Sequence, residues 1–363
     1  MLPTSPVSVR RTLPRILPWI LRKGTYRIGV DLGSRFIKAV IVRRRGRDWY
    51  LKDWYVAEVP RPEFSQDPGS NIVTNFDEVI HQRIKTFLAK YIRLKPTIGI
   101  SVPGSRVLVK TLTLPVMSEE EVREHLKWEL DRYISTEMGE VVWDVHCCFQ
   151  SSFEDSLHQQ VILAVAKKDF IEKKILSFHE LGVAVKFVDV DAFALVNLVT
   201  CNLDPEDVWL LAHLGPSGIL LVIINQEEPV YLHEGPFEVE WYGDLVDQLR
   251  SKAEYSSESG MGKGSEQVLL EPFLEEVKSH IQEALRKYGG NPAHRPLSGI
   301  LLSGGYSVIE EMPSRLTLAL DLPVTRIDPF KNIMVPAAHA SNSKFSKNAP
   351  LLGVAMGMAL REP

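Results

Sequence analysis

The chain has 363 residues, 45% of them hydrophobic and 24% charged, the balance of a soluble globular protein long enough to form two lobes. A net charge of −4 provides no basic field for nucleic acid, and no window reaches the ~18–20 uninterrupted apolar residues that span a bilayer. Cys147, Cys148 and Cys201 form no CxxC pair and no metal-ligand spacing, so they read as buried thiols of a reducing compartment.

Residues 1–25 form a basic tail with Arg10, Arg11, Arg15, Arg22 and Lys23 and no acid. Pro14, Arg15 and Pro18 interrupt its apolar stretch, which argues against a signal peptide. Ile16, Leu17, Trp19, Ile20 and Leu21 could serve as a weak anchor to an anionic membrane face. Arg27–Val42 and Tyr50–Val59 then read as a three-stranded meander, and Phe76–Tyr91 as a helix of 3.6 period capped by Asn75 and Glu78. Thr97–Val102 is a strand ending at Pro103-Gly104.

Residues 105–186 read as an inserted α/β subdomain. Its expected elements are a strand over Val107–Leu114 and a helix over Ser118–Ile134 with a Ser118/Glu121 capping box. A strand over Val141–Phe149, a polar hairpin loop over Gln150–His158 and a strand over Gln160–Ala166 follow. A helix over Lys168–Leu181 and a strand over Ala184–Val190 complete the pattern. The second lobe, 208–349, opens with Trp209–Ile224 and carries a glycine-rich segment at 250–268 that reads as a mobile loop. Helices over Leu270–Tyr288 and Val308–Leu320 flank a strand ending in Ser303-Gly304-Gly305. The closing helix, Leu351–Leu360, offers a small-residue face at Gly353 and Gly357 for packing on the sheet. The first lobe, 26–104, takes back parts of 187–207 and 350–363.

One phrase occurs twice. RIGVDLGSRFIKAVIV at 27–42 and WLLAHLGPSGILLVII at 209–224 are both an apolar run, a Leu-Gly turn and a second apolar run. In register, Asp31 falls on His213 and Gly33 on Gly215. A phosphate tail needs turn amides, a nearby cation and an acid that holds magnesium through water. Asp31, Gly33, Ser34 and Lys38 supply these in the first copy, with Asp31 as the metal-side acid. In the second copy His213 is a poor ligand for hard magnesium, and Pro216 has no N–H to donate. Gly260-Met-Gly-Lys263 is not a Walker A loop, because that pattern would require glycine at Ser257 and a hydroxyl residue at Gly264.

The D-x-G-S-x-x-x-K hairpin, the insertion, the second hairpin and the late S-G-G together resemble the actin-like ATPase superfamily, which includes actin and FtsA. Within it the opening IGVDLGSRFIKAVIV is similar to the PilM family of type IV pilus assembly proteins. So are LTLPVMSEEEVREHLKWELDRYI, VILAVAKKDFIEKKILSFHELGVAVKFVDVDAFAL and ILLSGGYSVIEEMPSRLTLALDLPV. Relatives of that family act in natural competence and type II secretion. The resemblance runs from about residue 26 to the C-terminus and implies a two-lobed, ribonuclease H-like α/β fold with an α/β insertion in the first lobe.

By position, the resemblance implies a first phosphate loop at Asp31, Gly33, Ser34 and Lys38, a second at Gly215, and an adenosine loop at Gly304 and Gly305. Asp191 falls where the superfamily has an acid near the attacking water, the one candidate catalytic group. The implied cofactors are ATP and magnesium. His213, Pro216 and the pair Gln282-Glu283, which puts a carboxylate where relatives tend to carry basic residues, argue against efficient hydrolysis. The expected function is a cytosolic scaffold peripheral to the inner membrane. It would bind the tail of a PilN-like membrane protein along about Val107–Tyr133 and contact other pilus or secretion components. The alternatives are an active Mg-ATP switch of the same machine and an FtsA-like division protein. A sugar or acetate kinase would need a catalytic Asp that 105–186 does not offer.

Overall fold

Alternating and doubly buried apolar residues organise the first lobe. In the computed structural model, which describes residues 25–33, 35–59, 76–135, 138–153, 156–201, 203–204, 206–216, 218–237, 263–290 and 295–361, the opening segment is the expected meander. Its strands are β1 (Tyr26–Leu32), β2 (Phe36–Arg45) and β3 (Asp48–Glu58). Ala39–Val42 is buried on both faces, as a sheet covered on both sides requires. β4 (Thr97–Val102) pairs parallel with β1, β8 (Val185–Val190) pairs parallel with β4, and β14 (Ile333–Met334) joins β3. The resulting order is β14-β3-β2-β1-β4-β8.

The second lobe repeats this plan with β9 (Val208–Gly215), β10 (Gly218–Asn225), β11 (Glu228–Gly235), β12 (Gly299–Ser303) and β13 (Val324–Arg326), in the order β11-β10-β9-β12-β13. A third sheet, β5-β7-β6, consists of β5 (Val107–Pro115), β6 (Val141–Phe153) and β7 (Ser156–Lys167). Against it lies α2 (Glu119–Glu129), started by the capping box of Ser118 and Glu121 and burying Val122 and Leu126 among Val145, Leu163 and Val165.

The remaining helices make layers. α1 (Phe76–Ala89) and α3 (Lys168–Glu180) cover the outer face of the first sheet, where Ile84, Phe87, Leu88 and Phe178 meet Ile28, Val30 and Ile41. α4 (Asp191–Thr200) is sandwiched between the two large sheets together with the closing helix Gly353–Leu360, touching Val40 and Val42 on one side and Leu211 and Val222 on the other. On the far side, α5 (Lys263–Gly289) and α6 (Met312–Leu320) pack Phe273, Val277, Ile281 and Leu316 on Leu210 and Ile223. Two short helices, α7 (Ala337–Ala340) and α8 (Ser343–Asn348), lead into the closing helix, α9. All eight residues of α9 are buried. An apolar helix is stable there because both of its flanks are covered.

Several expectations change. β8 hydrogen-bonds to β4 and so joins the first sheet, while α3 bridges, placing Phe178 in the core under Ile84 and also touching β6 and β7. The polar stretch expected as a loop at Gln150–His158 is mostly ladder: β6 and β7 stay paired out to Phe153 and Ser156, since backbone pairing in a ribbon needs no core. The long helix starts at Lys263 and not at Leu270. It runs through Pro272, which a start at Leu270 would have put in the first turn. Residues 263–268 are therefore helical where a loop was expected, and 250–262 lie outside the described residues, as do the basic tail up to Gly24, Ser34 and the Asn75 cap. Helix α6 starts at Met312, after a separate 3-10 turn over Gly305–Val308. Cys201 is exposed, and Cys147 and Cys148 are only partly covered, so the thiols are not core residues.

The small-residue face of α9 meets a helix as well as a sheet. A Cβ on Gly357 would overlap the Ala194 carbonyl oxygen of α4, while on the other flank a Cβ on Gly29 of β1 would overlap the Ala355 carbonyl oxygen of α9. Backbone touches backbone at both points, so neither side can yield by a rotamer change. Gly357→Ala is expected to cost about 2–3 kcal/mol in urea unfolding, at the upper end of overpacking effects. Gly46→Ala, in an open turn with φ 63°, is expected to cost about 1 kcal/mol.

Candidate functional site

The mouth between the two large sheets is a cleft of about 930 Å³, counting the solvent at its opening. Asp31, Gly33, Lys38, Asp191, Gly215, Gly304 and Gly305 all line it, although they span the length of the chain. Ser34 lies outside the described residues. Each residue arrives at the cleft because a strand ends there: Asp31 from β1, Gly215 from β9 and Ser303-Gly304 from β12, with Asp191 opening α4.

Asp31 is 3% exposed, and Lys38 lies directly across the ladder from it. Lys38 Nζ stands 2.5 Å from Asp31 Oδ2, with both side chains mostly covered. The Gly33 amide donates to the Phe36 carbonyl at 3.1 Å, closing the turn. A Cβ on Gly33 would sit 3.3 Å from Lys38 Nζ, so the missing side chain leaves room for the lysine. Asp191 is partly covered, but its Oδ1 is shut off from solvent with no hydrogen-bond partner. Burial, and next the charge of Asp31, raise its carboxyl to about 8, so it carries a proton at neutral pH.

The second copy of the hairpin superposes on the first in register. Asp31 pairs with Ser101 on the parallel neighbour and Lys38 on the antiparallel one, and His213 pairs with Ser303 and Leu220 in the same way. Both members of the ion pair are thus replaced: acid by imidazole and lysine by leucine. Burial, with the charge of Lys38 second, lowers the His213 pKa to about 3, so the ring is neutral; its Nδ1 lies 3.3 Å from the Ser303 hydroxyl. Gly304 takes φ 90°, and a Cβ there would overlap the Leu214 carbonyl, so the turn after β12 admits only glycine.

Sequence reasoning missed Glu234. It projects from β11 into the cleft and comes so close to Gly104 that a Cβ there would overlap its carboxylate; burial raises its pKa, and the Ser105 amide works the other way. No motif marks it, since it comes from a strand edge in one lobe and meets a turn of the other. Leu220 was legible as the counterpart of Lys38 by simple offset from His213. Gln282 and Glu283 are not among the residues that line the cleft, so the Glu283 carboxylate does not act there directly; it instead forms an i,i+4 ion pair with Lys287.

Removing Lys38 leaves Asp31 buried beside Asp191 without a cation. Lys38→Met is expected to cost about 3–5 kcal/mol in chemical unfolding, and Asp31→Asn added to it to restore most of the loss. The Asp191 carboxyl keeps its proton in the folded chain up to about 8, against an ordinary value of 3.8. Its contribution to stability therefore falls as pH rises through that window. Asp191→Asn removes that share of the slope: melting temperatures of variant and parent are expected to agree near pH 4 and to separate in the variant's favour above pH 8.

The family described as Type IV pilus assembly protein PilM matches residues 29–363. A solved structure titled "PilM-PilN type IV pilus biogenesis complex" superposes with a TM-score of 0.74 at 21% identity, covering 93% of this chain and 99% of that one. The ethanolamine utilization protein EutJ from Carboxydothermus hydrogenoformans gives 0.48 at 12% identity, covering 92% of this chain and 89% of that one. The cytoplasmic domain of EpsL, an inner-membrane component of the type II secretion system of Vibrio cholerae, gives 0.39 at 11% identity over 66% of this chain and 79% of that one. The fold is that of the solved PilM structure, α/β with two large sheets and a third smaller one as the sequence motifs implied. The chain belongs to the PilM family of type IV pilus assembly proteins.

Proposed function

We propose that this chain is a scaffold of a type IV pilus or related secretion machine, held at the cytoplasmic side of the inner membrane by the tail of a PilN-like protein. Its cleft keeps the shape of a nucleotide site without the means to turn nucleotide over. The observation that carries this reading is the broken symmetry of the cleft. Magnesium on a nucleotide is held by oxygen donors, and where the first hairpin presents Asp31 and Lys38 the second presents a neutral His213 and the apolar Leu220. On the first side Lys38 is already engaged by Asp31, and Glu234 adds a carboxylate facing any phosphate. The residues present therefore do not fit a magnesium nucleotide as a substrate. Among the described residues no helix is long and apolar enough to cross a membrane, so attachment through a partner's tail supplies the localisation.

The proposed docking surface is the expected one at Val107–Tyr133. There α2 turns Val122 and Leu126 inward, while Trp128 stands 82% exposed on the same helix as Glu119, Glu120 and Glu124. An indole left in water one turn from Glu124 suits a short basic segment with one apolar anchor. The second reading, a Mg-ATP switch, draws on the convergence of Asp31, Lys38 and Asp191 in one cleft. An FtsA-like division role rests only on the basic tail, which lies outside the described residues.

Calorimetry with the cytosolic N-terminal peptide of the cognate single-span membrane protein tests the scaffold. Binding is expected to weaken roughly tenfold or more in Trp128→Ala, the range of an aromatic hot spot, and to be indifferent to Mg-ATP. An unchanged affinity in that variant, or binding that requires nucleotide, contradicts the proposal.

A further inference from the structure

Two strands of different lobes meet beside the cleft's second hairpin. β6 of the inserted subdomain lies against β11 of the second lobe, and three ligating side chains converge at that contact: His146, Cys148 and Glu228. Their ligand atoms all lie within 4.8 Å of one another. His146 Nε2 and Glu228 Oε2 are 2.7 Å apart, an ion pair across the interface. His146 and Cys148 are two residues apart on one strand and so share a face. The ladder between β6 and β7 slips by one residue between Cys147 and Gln150, a bulge of the kind that re-aims a side chain. Glu228 is fixed from the other side, as the first residue of β11 after a turn in which Gln226 and Glu227 both have positive φ.

We propose that His146, Cys148 and Glu228 bind a zinc-class divalent cation that staples the inserted subdomain to the second lobe. Imidazole nitrogen, thiolate and carboxylate oxygen are the donors this class of ion takes, whereas magnesium and calcium take oxygen alone. Tetrahedral coordination with metal–ligand lengths of about 2.0–2.3 Å puts ligand atoms about 3.3–3.8 Å from one another. The site therefore forms by separating the His146–Glu228 pair by under about 1 Å and drawing Cys148 Sγ inward, both side-chain movements. Water fills the fourth position. On binding, the thiol proton and any proton shared by the imidazole–carboxylate pair leave to solvent, and the cation takes their place.

Because the ligands come from two lobes, the ion would hold the insertion against β11. This is independent of the scaffold reading and stands or falls separately.

The test is a Co²⁺ titration of the full-length chain, stripped with chelator and kept reduced by a non-chelating phosphine. The expected result is a near-ultraviolet thiolate-to-cobalt band with tetrahedral visible bands, saturating at a single equivalent and bleached by Zn²⁺. Cys148→Ser abolishes the thiolate band, while Cys147→Ser and Cys201→Ser retain it. Glu228→Gln and His146→Gln lower zinc affinity by roughly 100-fold, since even outer-shell partners cost 10–100-fold. Far-ultraviolet circular dichroism of each metal-free variant verifies the fold, and the exposed His146 substitution serves if a buried one fails to fold. Absence of the band, its survival in Cys148→Ser, or unchanged affinity in Glu228→Gln overturns the proposal and leaves His146–Glu228 as an ion pair only.

Discussion

Two apolar helices pressed between two sheets hold this molecule together. Helix α4 and helix α9 supply the layer between the lobes, and the backbone of α9 comes so close to α4 at Gly357 and to β1 at Gly29 that no side chain fits. The consequence reaches the cleft directly. Asp191 is the first residue of α4, so its position is set by how that helix seats between the sheets. Gly353, at the start of α9, packs on Ser303 at the end of β12, which in turn lies beside His213. The core and the site are therefore one construction, and a change in the helix layer moves the cleft.

That construction is built from a duplicated hairpin whose two copies have diverged at matching places. The first keeps a buried acid with its lysine; the second puts imidazole and leucine in those register positions. Burying a charge demands a partner, and each copy satisfies that demand differently: Asp31 by pairing with Lys38, the second copy by having no charge to pair. Replacing both members of the pair together leaves no buried charge without a partner in the second copy.

The repeat was legible in the sequence because it is local: Asp31 to Lys38 and His213 to Leu220 are each one hairpin, and the offset between copies needs only a ruler. The capping box at Ser118 was legible for the same reason. What escaped was the placement of elements that no local pattern distinguishes. Helix Lys168–Glu180 has an ordinary amphipathic face, and only the core it completes through Phe178 shows that it reaches the first sheet. The polar residues after Phe149 resemble a loop because backbone pairing leaves no hydrophobic mark. Glu234 and the cluster of His146, Cys148 and Glu228 depend on contacts between lobes, which spacing along the chain does not encode.

The central claim is that the asymmetry between the hairpins separates this fold from hydrolysis. Single-turnover phosphate release from Mg-ATP, measured with the full-length chain in excess beside Asp31→Ala, tests it most directly. The account predicts release indistinguishable between parent and variant and equal to that of nucleotide in buffer. Release from the parent well above buffer, abolished in Asp31→Ala, would show that one intact hairpin suffices and would contradict it.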